Sequence, residues 1–246
     1  MKRFLCKFIW DFRKNTAKFL SFFAFPTYCI NCGVQTFGMQ LCTDCIQKYL
    51  LCWDGRKKRC IYCGRHLISE IDTCLECRET PPFKYVDSVF PIHRYLLWKK
   101  QLMFLWKSGS QRLFSVVFAE IANKALLEQY PGLPIVPVPP RAGKIYKKGW
   151  DQIAEVVSIL KNIYEITVID ALVRTEKIQQ KKLNRLERLS HLEKAFQLTK
   201  KNVHLPKTVV IFDDVMTTGS TLEACAHCLK NAGVKNVYAL TLFEVC

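Results

Sequence analysis

The fold is decided by residues 209–221, which read V-V-I-F-D-D-V-M-T-T-G-S-T. Four apolar residues predict a buried strand of a parallel sheet, and Asp213 and Asp214 follow them directly. The loop of Thr, Gly and Ser leads into a predicted helix, where backbone N–H groups and hydroxyls can surround a phosphate dianion. The carboxylates would meet sugar hydroxyls, or Mg²⁺ through water. The segment therefore indicates a site for a phosphorylated sugar or nucleotide, and the alternative is an N-capped helix after an acidic turn.

Strands and helices alternate along the chain around this segment. We predict strands at 85–92, 133–138, 166–169, 208–212 and 237–243, and helices at 95–106, 111–129, 151–164 and 220–232. This alternation predicts an α/β domain with a mainly parallel sheet and flanking helices. The charged residues 174–194 predict a mobile arm or an exposed helix. Pro81 and Pro82 mark a linker, which gives three parts: an N-terminal segment at 1–25, a Cys-rich module at 26–80 and a globular domain at 83–246.

The Cys-rich module contains two similar units. Ten of the 13 cysteines lie between Cys6 and Cys77, and eight of them form four C-x-x-C pairs. Two such pairs supply the four thiolates that tetrahedral zinc prefers, so two closed, structural zinc sites are expected. The alternatives are disulfides, an iron–sulfur cluster or redox pairs, and an interleaved sharing of the pairs stays open. The expected ligands are Cys29, Cys32, Cys42, Cys45, Cys60, Cys63, Cys74 and Cys77. Cys225 and Cys228 are spaced i, i+3 on a predicted helix and are expected to pack rather than to bind metal.

Composition bounds the location of the protein. Half of the residues are hydrophobic, which allows a sizeable core, but no apolar run is long enough to span a membrane. Residues 1–25 lack the features of a secretory signal, so we expect a cytoplasmic protein with reduced cysteines. Phe4, Phe8 and Phe12 recur at helical spacing among basic residues. This pattern predicts an amphipathic helix that either contacts the inner face of the membrane or a partner, or caps the core.

The formal net charge of +16 favours polyanionic partners, and it stays strongly positive when thiolate-bound zinc is counted. Aromatic residues lie among the basic ones, namely Tyr95, Trp98, Phe104, Trp106, Tyr146 and Trp150. Binders of single-stranded nucleic acid combine such charge with stacking rings. The alternative is that most of these rings belong to the core.

The segment 209–221 also resembles the loop of type I phosphoribosyltransferases that binds phosphoribosyl pyrophosphate (PRPP). Residues 26–246 as a whole resemble the ComF (ComFC) family of competence-associated proteins, which join a cysteine zinc module to such a domain. Further support comes from V-P-V-P-P-R at 136–141, G-W-D-Q at 149–152, the arm at 180–188 and L-W-K-x-G at 105–109. The family often has His at the position of Arg141, and Phe and Asn at the positions of Trp150 and Asp151. Such departures leave the phosphate loop intact but put the acceptor pocket in doubt.

The resemblance implies a role for each matching residue. Asp213 and Asp214 would hold the ribose hydroxyls and organise Mg²⁺, the loop 217–221 would bind the 5′-phosphate, and Arg141 would face the pyrophosphate. The arm with Lys181, Lys182, Arg185 and Arg188 would close over the site and stabilise departing pyrophosphate. The residues assigned to PRPP are Asp213, Asp214, Val215, Met216, Thr217, Thr218, Gly219, Ser220, Thr221 and Arg141. Those assigned to catalysis are Asp213, Asp214, Lys181 and Arg185.

Two functions of different class follow from the resemblance. The first is a phosphoribosyl transfer onto a base, an amine or a nucleic acid end. The second is a non-catalytic PRPP-sensing or nucleic-acid-binding component of DNA uptake. In both, the family implies a part in natural transformation, with incoming single-stranded DNA and other proteins of the competence machinery as partners.

Overall fold

The computed structural model describes residues 26–52, 58–80, 82–109, 111–140, 149–175, 195–199 and 205–245. In chain order the elements are β1 (Pro26–Tyr28), β2 (Gln35–Phe37), α1 (Thr43–Cys45) with the π-helical turn Ile46–Leu51, α2 (Leu75–Glu79), β3 (Ser88–Arg94), α3 (Trp98–Ser108), α4 (Phe114–Gln129), β4 (Ile135–Pro137), α5 (Gln152–Ile163), β5 (Leu172–Arg174), β6 (Phe196–Leu198), β7 (Thr208–Met216), α6 (Ser220–Asn231) and β8 (Asn236–Glu244). The described residues form two compact units. The first comprises 26–52 and 97–114, and the second comprises the rest.

The first unit contains a short hairpin and one longer helix. β1 and β2 pair antiparallel, with Pro26 opposite Phe37. In α3 the apolar residues Leu102, Met103 and Trp106 fall on one helical face, and all three are fully buried. The helix ends at Gly109, whose φ of +85° is the left-handed cap that glycine adopts without strain.

The second unit is built on a parallel sheet with the strand order β3-β8-β7-β4. The central strands β7 and β8 are buried on both faces, which explains their nearly continuous apolar sequence. The apolar faces of the flanking helices are buried, as for Val156 and Leu160 of α5 and Leu222 and Leu229 of α6. The predicted fold class is thus confirmed: a parallel sheet with flanking helices in a chain that also carries two cysteine groups.

Three predicted strand boundaries are wrong for identifiable reasons. β7 continues through both aspartates, because its ladder with β8 runs on to the pair Met216 and Glu244. β3 begins at Ser88, since the backbone N–H groups just before it bond to a side chain of α6. The strand predicted at 166–169 is a single parallel bridge between Ile135 and Val168.

The second cysteine segment, 58–80, packs on the edge strand β3 of its own unit. The backbone N–H of Val89 donates to the carbonyl of Tyr62 at 2.9 Å. Gly64 approaches so closely that an added Cβ would overlap Pro91 and the carbonyl of Val89. The segment therefore covers the N–H and C=O groups of an otherwise open sheet edge.

The two cysteine segments belong to different compact units. The predicted domain boundaries 26–80 and 83–246 describe stretches of sequence and not compact units, and they stay a prediction. The amphipathic helix predicted at 1–25 lies outside the described residues. Across the described part of the chain, no helix has both the length and the apolar character needed to cross a membrane.

Candidate functional site

The acidic pair stands at the carboxyl end of β7, a central strand of the sheet. Successive side chains of a strand point to opposite faces, so the two carboxylates meet different surroundings. Asp213 is half-buried, and its Oδ1 accepts the backbone N–H of Asp214 at 2.8 Å. Asp214 is buried, and its Oδ2 accepts from Nε2 of Gln152 at 2.8 Å. Both carboxylates therefore have fixed orientations.

Gln152 is a site residue that the sequence-based assignment missed. It is buried in the first turn of α5, and Asp151 caps this helix by accepting the N–H of Ala154 at 3.0 Å. The sequence did carry a signal, because the G-W-D-Q segment at 149–152 resembles a family segment that shares its Gly and Gln. The contact partner lies 62 residues away in the chain, so the motif alone gave no role to the glutamine.

The phosphate loop follows the acidic pair directly and leads into α6. Gly219 has a φ of +74° and occupies the N-cap of the helix. Thr217 and Thr218 are exposed, and the hydroxyls of Thr218 and Ser220 lie 2.7 Å apart. Hydroxyls and first-turn N–H groups that lack an acceptor within the helix can bind an anion at the positive end of this 12-residue helix.

The remaining assigned residues fall into two groups. Val215 is half-buried and Thr221 partly exposed, whereas Met216 packs in the hydrophobic core and its carbonyl accepts the N–H of Val245 at 2.8 Å. Arg141, Lys181 and Arg185 lie outside the described residues. The antiparallel ribbon of β5 and β6 carries the chain into and out of the arm, with Arg174 opposite Phe196.

The eight predicted cysteine ligands form two groups of four in sequence order, so the interleaved arrangement is ruled out. In each group all four Sγ atoms lie within 4.8 Å of one another. The distance from Cys32 Sγ to Cys42 Sγ is 3.7 Å, and that from Cys63 Sγ to Cys74 Sγ is 3.8 Å. Tetrahedral Zn–S bonds of about 2.3 Å separate the sulfur atoms by about 3.8 Å. The geometry fits zinc.

The pKa values of the thiols also fit a bound cation. Burial is the strongest influence on Cys29 and raises its pKa, but hydrogen bonds from backbone groups, that of Cys42 foremost, lower it to about 6. In the same group, burial and neighbouring thiols raise the pKa of Cys45 to about 12. The pKa of Cys60 is lowered to about 7 and that of Cys63 raised to about 12 in the second group. One thiolate forms readily in each group, and a bound cation would let the others form.

The other described cysteines are not part of these groups. Cys225 is fully buried on α6, where burial raises the pKa of its thiol, and Cys228 is half-buried one turn later. Both pack against the sheet core. Cys52 is exposed, and Cys6 lies outside the described residues.

The C-terminal part of the chain matches the profile of a known domain. The sequence profile of the phosphoribosyl transferase domain matches residues 153–245. The matched range starts in the first turn of α5 and contains β7, the acidic pair, the phosphate loop and α6.

Two curated relatives cover most of the chain. Competence protein ComFC of Streptococcus pneumoniae is 25% identical over 203 residues, which are 82% of this chain and 86% of the relative. Competence protein F of Haemophilus influenzae is 26% identical over 218 residues, 87% of this chain and 82% of the relative. Over most of its length, the chain is therefore similar to these two competence proteins. The resemblance that the motifs predicted is thereby confirmed.

One solved structure shows a remote likeness to this chain. A hypoxanthine phosphoribosyltransferase from Staphylococcus aureus aligns with 52% of this chain and 61% of its own, at 16% identity and a TM-score of 0.32. The chain therefore spans about three fifths of that enzyme.

Proposed function

We propose that this protein binds PRPP together with Mg²⁺ at the carboxyl end of β7. One observation carries the proposal: two oriented carboxylates are followed, five residues after Asp214, by a positive-φ glycine at a helix N-terminus. Carboxylates suit ribose hydroxyls and hydrated Mg²⁺, and the helix N-terminus suits the 5′-phosphate. PRPP presents these groups in one molecule.

Each of these residues has its own role in the proposed phosphoribosyl transfer. Asp213 and Asp214 hold the ribose, and Gln152 keeps Asp214 in place. The 217–221 loop holds the 5′-phosphate, while Arg141, Lys181 and Arg185 are proposed for the pyrophosphate side. In the transfer, the bond from C1 to the pyrophosphate oxygen breaks with its electron pair going to that oxygen, and a lone pair of the acceptor forms the new bond. Mg²⁺, when bound, neutralises charge on the pyrophosphate.

Calorimetric titration with Mg²⁺ and PRPP tests the binding site. The double substitution Asp213→Asn, Asp214→Asn removes the charged hydrogen bonds to the ligand, so affinity should fall about tenfold to a hundredfold. Asp44→Asn is a matched control, since Asp44 is exposed in the first unit. Unchanged affinity in a folded double variant would overturn the ribose role.

Release of pyrophosphate distinguishes the enzyme from the non-catalytic binder. PRPP is supplied with and without candidate bases, amines or single-stranded DNA. Turnover that depends on an acceptor supports transferase activity and identifies the acceptor. Tight binding with no pyrophosphate release under any of these conditions favours the PRPP-sensing alternative.

We also propose that each cysteine group holds one structural Zn²⁺. All four donors of each group are thiolates, which leaves no open coordination position for catalysis. The zinc ions would then stabilise the fold, and PRPP chemistry would be left to the second unit.

A role in DNA uptake is proposed from the names of the two relatives and from the charge of +16. Trp106 is fully buried, so it belongs to the core and is not available for stacking. Phe104 is 69% exposed on α3, and Tyr28 is 61% exposed on β1 of the same unit. These rings, not Trp106, are the candidates for contact with unpaired bases.

Fluorescence titration with single-stranded oligonucleotides at two salt concentrations tests this role. Binding through phosphates should weaken steeply as salt rises, because each contact releases counterions. Phe104→Ala should weaken binding to every sequence alike. Absence of binding at low salt would remove the DNA contact. The basic surface would then be left to PRPP, to competence proteins or to the inner face of the membrane, in a protein proposed to be cytoplasmic.

A further inference from the structure

Residues 83–87, here called the strap, lie along one face of α6. They contact the helix and its N-cap at 219, 223, 227 and 230, which are successive turns of one face. The contacts are the Phe83 ring against Gly219, the Glu223 carboxylate with the backbone of 84–86, the Tyr85 ring against His227 at 4.5 Å, and Asp87 with Lys230 at 2.8 Å.

Glu223 is the centre of this contact. Its Oε1 accepts the backbone N–H groups of Lys84 at 2.6 Å and Tyr85 at 2.8 Å, and its Oε2 accepts that of Val86 at 3.2 Å. Hydrogen bonds to a carboxylate are roughly twice as strong as those between neutral groups. The backbone N–H of the same residue donates to the carbonyl of Gly219 at 2.9 Å. Glu223 thus holds the strap through its side chain and the phosphate loop through its backbone.

The strap ends at the phosphate loop. Phe83 is half-buried, and its ring lies so close to Gly219 that an added Cβ would overlap it. The positive φ of Gly219 sets the direction of the first N–H groups of α6. A ring packed against this residue limits the conformations of the loop before any ligand arrives.

We infer that Glu223 is a positioning residue for the phosphate loop. It holds the strap so that Phe83 braces Gly219, which presets the N–H groups and hydroxyls of 217–221 for the 5′-phosphate. Preset donors raise affinity because less ordering remains to be done on binding. The inference rests on the proposed PRPP site but adds residues that never touch the ligand.

Substitutions of Glu223 separate positioning from general stability. Glu223→Ala removes the two oxygens that accept all three hydrogen bonds, and binding of ribose 5-phosphate should weaken about tenfold or more. Glu223→Gln keeps an oxygen for Lys84 and Tyr85 but turns a donor toward the N–H of Val86, so an intermediate loss is expected. Binding of Mg²⁺-pyrophosphate, which lacks the 5′-phosphate, should change less than about twofold in both variants. Glu128→Ala is the matched control, since Glu128 is exposed on α4 and forms an ion pair with Lys124 that is not a strap contact.

Hydrogen exchange of the 217–223 peptide gives a readout that needs no ligand. We expect faster exchange in Glu223→Ala, an intermediate rate in Glu223→Gln and the native rate in Glu128→Ala. Native exchange in a folded Glu223→Ala, or equal loss of ribose 5-phosphate and pyrophosphate affinity, would overturn the inference. If the native protein binds neither PRPP nor ribose 5-phosphate, the proposed function fails, and the exchange rates still decide whether Glu223 orders the loop.

Discussion

Gly219 and Gly233 lie at opposite ends of α6, and both have a positive φ, but their surroundings differ. Their φ angles are +74° and +96°, so alanine at either position costs about 1–2 kcal/mol of backbone strain. An added Cβ at Gly219 would overlap Phe83, whereas at Gly233 nothing lies within 4 Å. Gly219→Ala should therefore lower the free energy of unfolding more than Gly233→Ala in denaturant titrations, and it alone should weaken PRPP binding.

The comparison between these two glycines isolates the packing of the strap. Equal destabilisation by the two substitutions would mean that Phe83 moves away without cost. Equal PRPP affinity in the two variants would mean that the loop tolerates a shift at Gly219. Either result would weaken the assignment of Phe83 as a brace.

At the scale of single residues, the sequence predicted which site residues lie together in one segment. It did not predict which residues contact each other across the fold. Asp213, Asp214 and Gly219 lie within seven residues, so one strand-loop-helix segment was enough to place them together. Gln152 reaches Asp214, and Glu223 reaches Lys84, only because helices pack on the sheet in a particular register. Charge and aromatic content likewise did not reveal that Trp106 is buried while Phe104 is exposed.

At the scale of elements, Arg59 is the main link between the second cysteine segment and β3. Its Nη1 donates to the carbonyls of Gly64 at 3.0 Å and Pro91 at 2.7 Å, and the guanidinium lies 4.4 Å from the centre of the Phe90 ring. Burial lowers the pKa of this side chain from its ordinary value. The half-buried guanidinium thus donates to carbonyls on both sides of the contact.

Arg59→Lys should be destabilising although it keeps the charge. A lysine offers a single ammonium group in place of the planar fork and the stacked face, and each lost charged hydrogen bond costs about 1.5–3 kcal/mol. Zinc release to a chelator should be faster for one of the two ions. Arg65→Lys is the control, because Arg65 forms an exposed ion pair with Glu76 that contributes little. Equal release rates in both variants would contradict the link.

Element types were more predictable than element ends. Apolar strands and helices with one apolar face are properties of short stretches, which is why the alternation predicted the α/β fold. Strand ends depend on neighbours: β3 starts late because Glu223 binds the N–H groups of 84–86, and β7 runs on because β8 pairs with it past Asp213. No sequence pattern predicted that 58–80 packs on an edge strand. The contact includes a backbone hydrogen bond and the Arg59 side chain, which join residues that are far apart in the sequence.

At the scale of the whole molecule, the two cysteine groups belong to different compact units. The first lies with α3 in a unit that carries exposed rings, and the second lies with the sheet that carries the phosphate loop. Sequence spacing makes the groups look like two copies of one module. Their effects on the protein should nevertheless differ, because structural zinc contributes directly to the folding of the segment that binds it.

Zinc content and local protection test this division together. Protein purified under reducing conditions should contain about two zinc ions, one for each group of four thiols. Cys32→Ser and Cys77→Ser should each lose about one ion. Cys32→Ser should raise hydrogen exchange in 26–52 and 97–109. Cys77→Ser should raise it in β3 and the strap, and should weaken PRPP binding.

Cys52→Ser keeps every ligand and is the control. Iron in place of zinc would refute the metal assignment, and loss of protection in both units from either variant would refute their independence.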